Sequence, residues 1–228
     1  MPSMLIMLAS VSQINVMPSS VVGPFIINLA HRTDRWIKIK NQSDILQLNP
    51  HRVDAVYIEN DESTGCLMSH INALEMGADS EIAIWICEDD CKFLVDRNTL
   101  DIHITKFLES SAEVLCLGFS DNKQSYYDSM FLRTYDCQAA SCYIVKKSLQ
   151  PKLLELWKSV LQCRLDKTTH PLEVVYKSLE IHNPEFLRRD QSWKILQQDH
   201  IFLIPIIRCA VQDESYSDIE HKIVNYGV

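Results

Sequence analysis

Ile82-Ala83-Ile84-Trp85-Ile86-Cys87 runs without a polar break into Glu88-Asp89-Asp90, and the architecture of the chain can be read outward from that junction. A short apolar run between polar boundaries reads as a buried strand. In an open α/β sheet, ligands sit just beyond the C-terminal ends of the strands. The acidic triplet therefore falls where such a fold places its chemistry. Three adjacent carboxylates repel one another unless something positive neutralises them. A divalent cation does so economically, and carboxylate oxygens suit magnesium or manganese. The plainer alternative is a solvated acidic turn that merely ends a strand.

Upstream of this junction, residues 22–29 read as the first strand, with Pro24 near its start. Asp34 can cap a helix running from Arg35 to about Leu48, with Trp36, Ile39 and Leu46 near one face. Residues 53–58 read as a second strand. Ser63-Thr64-Gly65 opens a second helix, with Leu67, Ile71 and Leu74 on one stripe and Gly77 at its end. Strand, helix, strand, helix and strand at a spacing of about 30 residues predict parallel pairing. Downstream, a helix around residues 100–108 precedes a strand over 114–117 and a polar loop over 121–128. Residues 131–135 and 139–145 read as an antiparallel pair, which makes the sheet mixed. A helix from Ser148 through Leu161, helical stretches over 172–179 and 191–197, and a last apolar strand over 201–207 follow. The segment 212–218 reads as a polar C-terminal loop. With no repeat and no low-complexity tract, the expectation is one α/β domain over residues 21–228. Its sheet is mixed and mainly parallel, flanked by helices. Residues 1–20 read as a weakly ordered extension.

Composition narrows the function. A formal net charge of −8 argues against general affinity for nucleic acid or anionic lipid. The eight cysteines contain no C-x-x-C pair, which argues against a structural zinc site. Cys87, Cys116 and Cys142 lie inside apolar runs, so buried free thiols in a reducing, cytoplasmic setting are the better reading. Residues 4–11 are mildly apolar but far too short for a transmembrane segment, and no Lys or Arg precedes them.

Three further constellations carry candidate chemistry, each beside a bland alternative. Arg32 and Arg35 follow the first strand, where backbone N–H groups and guanidinium forks hold phosphates; alternatively they are solvated residues of a helix start. Neither G-x-G-x-x-G nor G-K-[ST] occurs, so the familiar dinucleotide and P-loop sites are absent. Ser69 and His70 lie in the first turns of the second helix, where His70 could reach a phosphate or sugar, or be an ordinary core histidine. Asp190, beside Trp193, is either a catalytic carboxylate or a plain N-cap.

Taken in order, these blocks resemble glycosyltransferase family 25, which includes lipooligosaccharide and collagen galactosyltransferases. The matching residues are Ile27-Asn28-Leu29 with Arg32, Asp34 and Arg35, then residues 65–74, Glu88-Asp89-Asp90 and Leu117-Gly118. Residues 140–145, Asp190 with Trp193, and Pro205, Gln212 and Ser215 complete the set, so the resemblance spans about residues 22–218. The glycine that usually precedes the Ala-Tyr strand block is replaced here within Gln138-Ala139-Ala140-Ser141-Cys142-Tyr143. The resemblance implies a GT-A-like fold, a nucleotide-sugar donor, usually a UDP-hexose, and manganese or magnesium. It also implies transfer of a hexose to a glycan or protein hydroxyl with inversion. Glu88-Asp89-Asp90 would then be a variant D-x-D element with Glu88 and Asp90 as metal ligands. Asn28, Leu29, Arg32, Arg35, Ser69, His70, Glu88 and Asp89 would hold the donor, and Asp190 would be the base. Two rivals remain: a glycosyltransferase-like binding module without turnover, and a receiver-type signalling domain. The latter would place its acids after the first strand rather than the third.

Overall fold

A computed structural model of the chain describes residues 21–179, 185–213, 215–217 and 222–224, so the extension expected over residues 1–20 lies outside the described residues. In chain order the elements are β1 (Val21–Asn28), α1 (Thr33–Ile45), β2 (His51–Asp54), α2 (Glu62–Met76), β3 (Ala83–Glu88) and β4 (Cys91–Phe93). Next come α3 (Arg97–Glu109), β5 (Val114–Asp121), β6 (Gln124–Tyr126), β7 (Phe131–Thr134), β8 (Cys137–Lys146) and α4 (Gln150–Asp166). Then follow α5 (Glu173–Ser178), α6 (Arg189–Ser192), a 3-10 turn (Trp193–Ile195), α7 (Leu196–Asp199), β9 (Phe202–Pro205) and β10 (Ala210–Gln212). A small separate hairpin, β11 (Ser215–Ser217) with β12 (Lys222–Val224), ends the described chain.

The main sheet has the order β2-β1-β3-β8-β5-β9-β7-β6. β1 runs parallel to β2 and β3, and β5 runs parallel to β9. β8 is inserted antiparallel between β3 and β5. The fold is thus the α/β class expected, one mixed, mainly parallel sheet flanked by helices.

Strand alternation explains the layers. On β3, Ile84 and Ile86 face one apolar cluster while Ala83, Trp85 and Cys87 face the other. β8 divides likewise, with Tyr143 and Val145 on the first side and Cys142 and Ile144 on the second. Leu67, Ile71 and Leu74 of α2 and Leu153, Leu156 and Trp157 of α4 cover the first face. Ile39 of α1 and Leu100, Ile104 and Phe107 of α3 cover the second. Gly65 lets α2 approach this closely: a Cβ there would sit 2.4 Å from the Val56 carbonyl oxygen.

Several boundaries differ from the sequence expectation for physical reasons. The expected pair over 131–135 and 139–145 does not form. β8 is buried on both faces and takes a central place, whereas β7, partly exposed, pairs with β6 and β9 near the sheet edge. Part of the expected loop over 121–128 is strand β6, paired with β7. The second strand lies at His51–Asp54 rather than over 53–58, because the chain peels away after Ala55 bonds the Asn28 carbonyl. α1 starts at Thr33, with Arg32 at the cap position and no side-chain cap; the Asp34 carboxylate accepts from Arg32. The strand at 201–207 is not the last, since β10 follows it and pairs with β4 and β5.

Candidate active site

The alternation that builds the core also distributes the acids at the end of β3. Glu88 continues the row of Ile84 and Ile86 toward α2 and α6. Asp89 reverts to the side of α1. The acids therefore meet different partners. Glu88 accepts from Arg189 Nη2 at 2.9 Å and from His70 Nε2 at 3.1 Å. Asp89 accepts from Arg35 Nη1 at 2.9 Å and from Asn28 Nδ2 at 2.6 Å. Asp90 accepts from Arg35 Nη1 at 3.3 Å and from Gln212 Nε2 at 3.0 Å, both on Oδ2. Its Oδ1 is buried and has no hydrogen-bond partner among the described residues.

The electrostatics follow. Burial works against ionised Glu88, but the Arg189 guanidinium and the His70 hydrogen bond outweigh it and hold the acid at about 2. Burial pushes Asp90 up to about 7, and the charge of Glu88 adds to the rise. Burial also raises Asp89, against the pull of Arg35. His70 is lowered to about 4, first by burial and then by Arg189. It is therefore a neutral imidazole at pH 7. With ionised Glu88 as acceptor, Nε2–H donates to Glu88, and Nδ1 accepts from the Tyr143 hydroxyl at 2.9 Å. Two guanidinium groups, from Arg35 and Arg189, thus face three carboxylates. They supply most of the neutralisation that sequence reasoning assigned to a cation. What remains is one carboxylate's worth of charge and one unpartnered oxygen, both at Asp90.

These residues floor an open cleft at the C-terminal ends of β1, β2 and β3. Its walls include Leu29, Arg35, Tyr57, Ser69, His70 and Gln212. Of the expected donor-holding residues, Leu29, Arg35, Ser69, His70, Glu88 and Asp89 reach this cleft, as does Asp90. Asn28 stands behind it: its amide donates to Asp89 and to the Arg32 carbonyl, and its oxygen accepts from Arg52 at 2.6 Å. Arg32 lies in an adjoining depression with Asp34, Arg35 and Lys38, and its side chain is paired to Asp34 at 3.1 Å. Ser69 spends its hydroxyl on the backbone, donating to the Gly65 carbonyl at 2.7 Å and accepting from the Val56 amide at 2.8 Å. This bond pins the cleft wall that follows β2. His70 is fully buried and both its ring nitrogens are engaged within the protein, so it orients Glu88.

Asp190 is in the first turn of α6, and the cap position belongs to Arg188. Its Oδ2 accepts the Ala139 amide at 2.9 Å, supporting a residue of φ 47°. Neighbouring Arg189 is the link between α6 and the cleft. The sequence gives Arg189 no role, because α6 meets β3 only in the folded chain. Tyr57 and Glu62 carry no local signal either, and Tyr143 lies in the matching block over 140–145 without an assigned role. Gln212 was one of the matching residues but had no assigned partner; β10 brings it to Asp90.

No family model matches the chain, and no curated protein matches it. Among solved structures, the chain is similar to A197 from STIV at 9% identity, covering 89% of this chain and 97% of that one, with a TM-score of 0.39. It is similar to a glycosyltransferase involved in the glycosylation of the major capsid of PBCV-1 at 13% identity, covering 80% and 91%, with a TM-score of 0.40. It is also similar to a mannose-1-phosphate geranyltransferase from Thermus thermophilus at 10% identity, covering 83% and 58%, with a TM-score of 0.39. Likeness of this depth carries no argument about activity, which rests on the site. Among the described residues, no helix is long and apolar enough to cross a membrane.

Proposed function

We propose that the chain is a GT-A-like glycosyltransferase that moves a hexose from a UDP-sugar to a hydroxyl of a glycan or protein, with inversion. The observation that carries this reading is Asp90: a buried carboxylate, pushed up to about 7, with one oxygen unpartnered at the floor of a cleft beyond three parallel strand ends. That oxygen fits a hard divalent cation, manganese or magnesium, held by Asp90 with Glu88 beside it. When bound, the cation supplies neutralisation of the diphosphate leaving group.

The chain's own residues do the rest. Arg35 fixes Asp89 and Asp90 from the α1 side and offers a guanidinium to the donor phosphates. Arg189 and neutral His70 keep Glu88 ionised and oriented. Tyr57, half exposed at the cleft wall, offers a ring face to a base or sugar. The resemblance assigns the base to Asp190, which is not among the residues lining the cleft and whose Oδ2 is held by the Ala139 amide; its Oδ1 would take the acceptor proton. The hydroxyl oxygen bonds to the anomeric carbon as the bond from that carbon to phosphate breaks.

The test is UDP release from UDP-hexoses with manganese, by the parent and by Asp190→Asn. Release should need the cation and rise with acceptor, and Asp190→Asn should lower transfer by about 10²–10⁴-fold at nearly unchanged UDP affinity. One observation favours the second reading, a binding module without turnover: Glu88 is engaged by Arg189 and His70. UDP binding with no release from any UDP-hexose would establish that reading instead.

A further inference from the structure

A second cluster of potential ligands lies directly behind the acidic turn. Cys87 and Cys91 bracket Glu88-Asp89-Asp90, and Cys142 is the cross-strand partner of Cys87 in the β3–β8 register. All three side chains are buried, and their sulfurs lie within 4.8 Å of one another. The Cys87 and Cys142 sulfurs are 3.1 Å apart. Thiols packed merely as small apolar groups would sit at ordinary contact, about 3.5–4.0 Å. The indole Nε1–H of Trp85 donates to Cys142 Sγ at 3.1 Å. A hydrogen-bond donor aimed at a buried sulfur is the outer partner that a thiolate ligand takes.

We propose that Cys87, Cys91 and Cys142 form a thiolate site for one soft, thiophilic cation, Zn(II) or Cu(I). Metal–sulfur bonds of about 2.3 Å in tetrahedral geometry put sulfurs about 3.8 Å apart. The cluster brackets that value, with one pair at 3.1 Å and every pair within 4.8 Å. Each thiol gives its proton to solvent as the cation enters. Three thiolates complete a trigonal Cu(I) site. Zn(II) takes a fourth ligand from outside this trio; Cys209 shares the apolar layer, but its thiol donates to the Ile207 carbonyl at 3.4 Å. The ligands come from the end of β3, the start of β4 and the middle of β8, so the cation fastens three strands around the acidic turn. No C-x-x-C motif marks this site, because its local pair is C-x-x-x-C and its third ligand arrives from β8.

The test is anaerobic titration of the reduced, metal-free full chain with Co(II), as a probe for Zn(II), and separately with Cu(I). One ion per chain should bind to sulfur. Co(II) should give an intense sulfur-to-metal charge-transfer band, which carboxylate ligation at Asp90 cannot give, and Zn(II) should abolish the band. The band should vanish in Cys142→Ser and in Cys91→Ser, and persist in Cys163→Ser, whose thiol lies on α4 outside the cluster. Cys91→Ser, at the start of a three-residue strand, serves if Cys142→Ser does not fold. Failure of the folded chain to bind either Co(II) or Cu(I) through sulfur, persistence of the band in both cluster variants, or isolation of the chain with a Cys87–Cys142 disulfide would overturn the proposal.

Discussion

Glu88 and Asp90 stand two residues apart at the end of one strand, both deeply placed, and their chemistry diverges. Glu88 is held at about 2, while Asp90 is pushed to about 7. Burial disfavours the ionised form of both. Glu88 meets Arg189 at 2.9 Å and the His70 N–H. Asp90 shares Arg35 with Asp89, at the longer distance of 3.3 Å, and feels the charge of Glu88. The difference teaches that partners, and not residue type or burial, decide which acid is already satisfied by the protein and which still calls for a positive charge. In an active site, pairs of acids whose environments push them apart mark a division of roles.

The largest way to break this contrast is to remove the partner of Glu88. Arg189→Met leaves a buried carboxylate uncompensated and should cost about 3–5 kcal/mol in urea unfolding. A loss under about 1 kcal/mol would show that Glu88 does not depend on Arg189. The next effect is acid lability. His70 titrates near 4 when folded and at 6.5 ordinarily. As pH falls below 6.5 the unfolded chain takes up a proton that the folded chain refuses. Stability present above pH 6.5 is therefore lost between 6.5 and 4, on the order of 3 kcal/mol. Glu88, depressed from 4.5, extends the loss between 4.5 and about 2. His70→Gln should flatten the upper window, and an unchanged profile would place the proton uptake elsewhere.

Asp90 has the opposite sign. Its folded value lies above the ordinary 3.8, so it withdraws stability as pH rises from 3.8 to about 7. Asp90→Asn, without metal, should gain about 1–2 kcal/mol at pH 8 and nothing at pH 4. A gain at pH 4 would assign the effect to packing rather than charge. The smallest effect belongs to Arg32→Ala. Its pair with Asp34, whose side chain is 67% exposed, should be worth less than about 1 kcal/mol.

Much of the first half was legible because periodicity and position agree there. Ile82 to Cys87 reads as a buried strand, realised as Ala83–Glu88, and the parallel order of β1, β2 and β3 put Glu88, Asp89, Asp90 and Arg35 at one edge. The Leu67, Ile71 and Leu74 stripe placed α2, and with it His70. Legibility ended where partners come from distant strands. Neither the insertion of β8 between β3 and β5 nor the reach of Arg189 to Glu88 has a local signal. The same holds for Gln212, which meets Asp90 only because β10 pairs with β4. The charge on the triplet was legible, but what neutralises it was not: a cation and an arginine leave the same imprint on an acidic sequence.

The most direct measurement is the melting temperature of the parent and of Asp90→Asn with UDP, each with and without manganese. UDP should raise the parent's melting temperature only when manganese is present, and Asp90→Asn should lose this increment while remaining folded. Equal stabilisation of both proteins by UDP regardless of manganese, or none in either, would contradict this expectation.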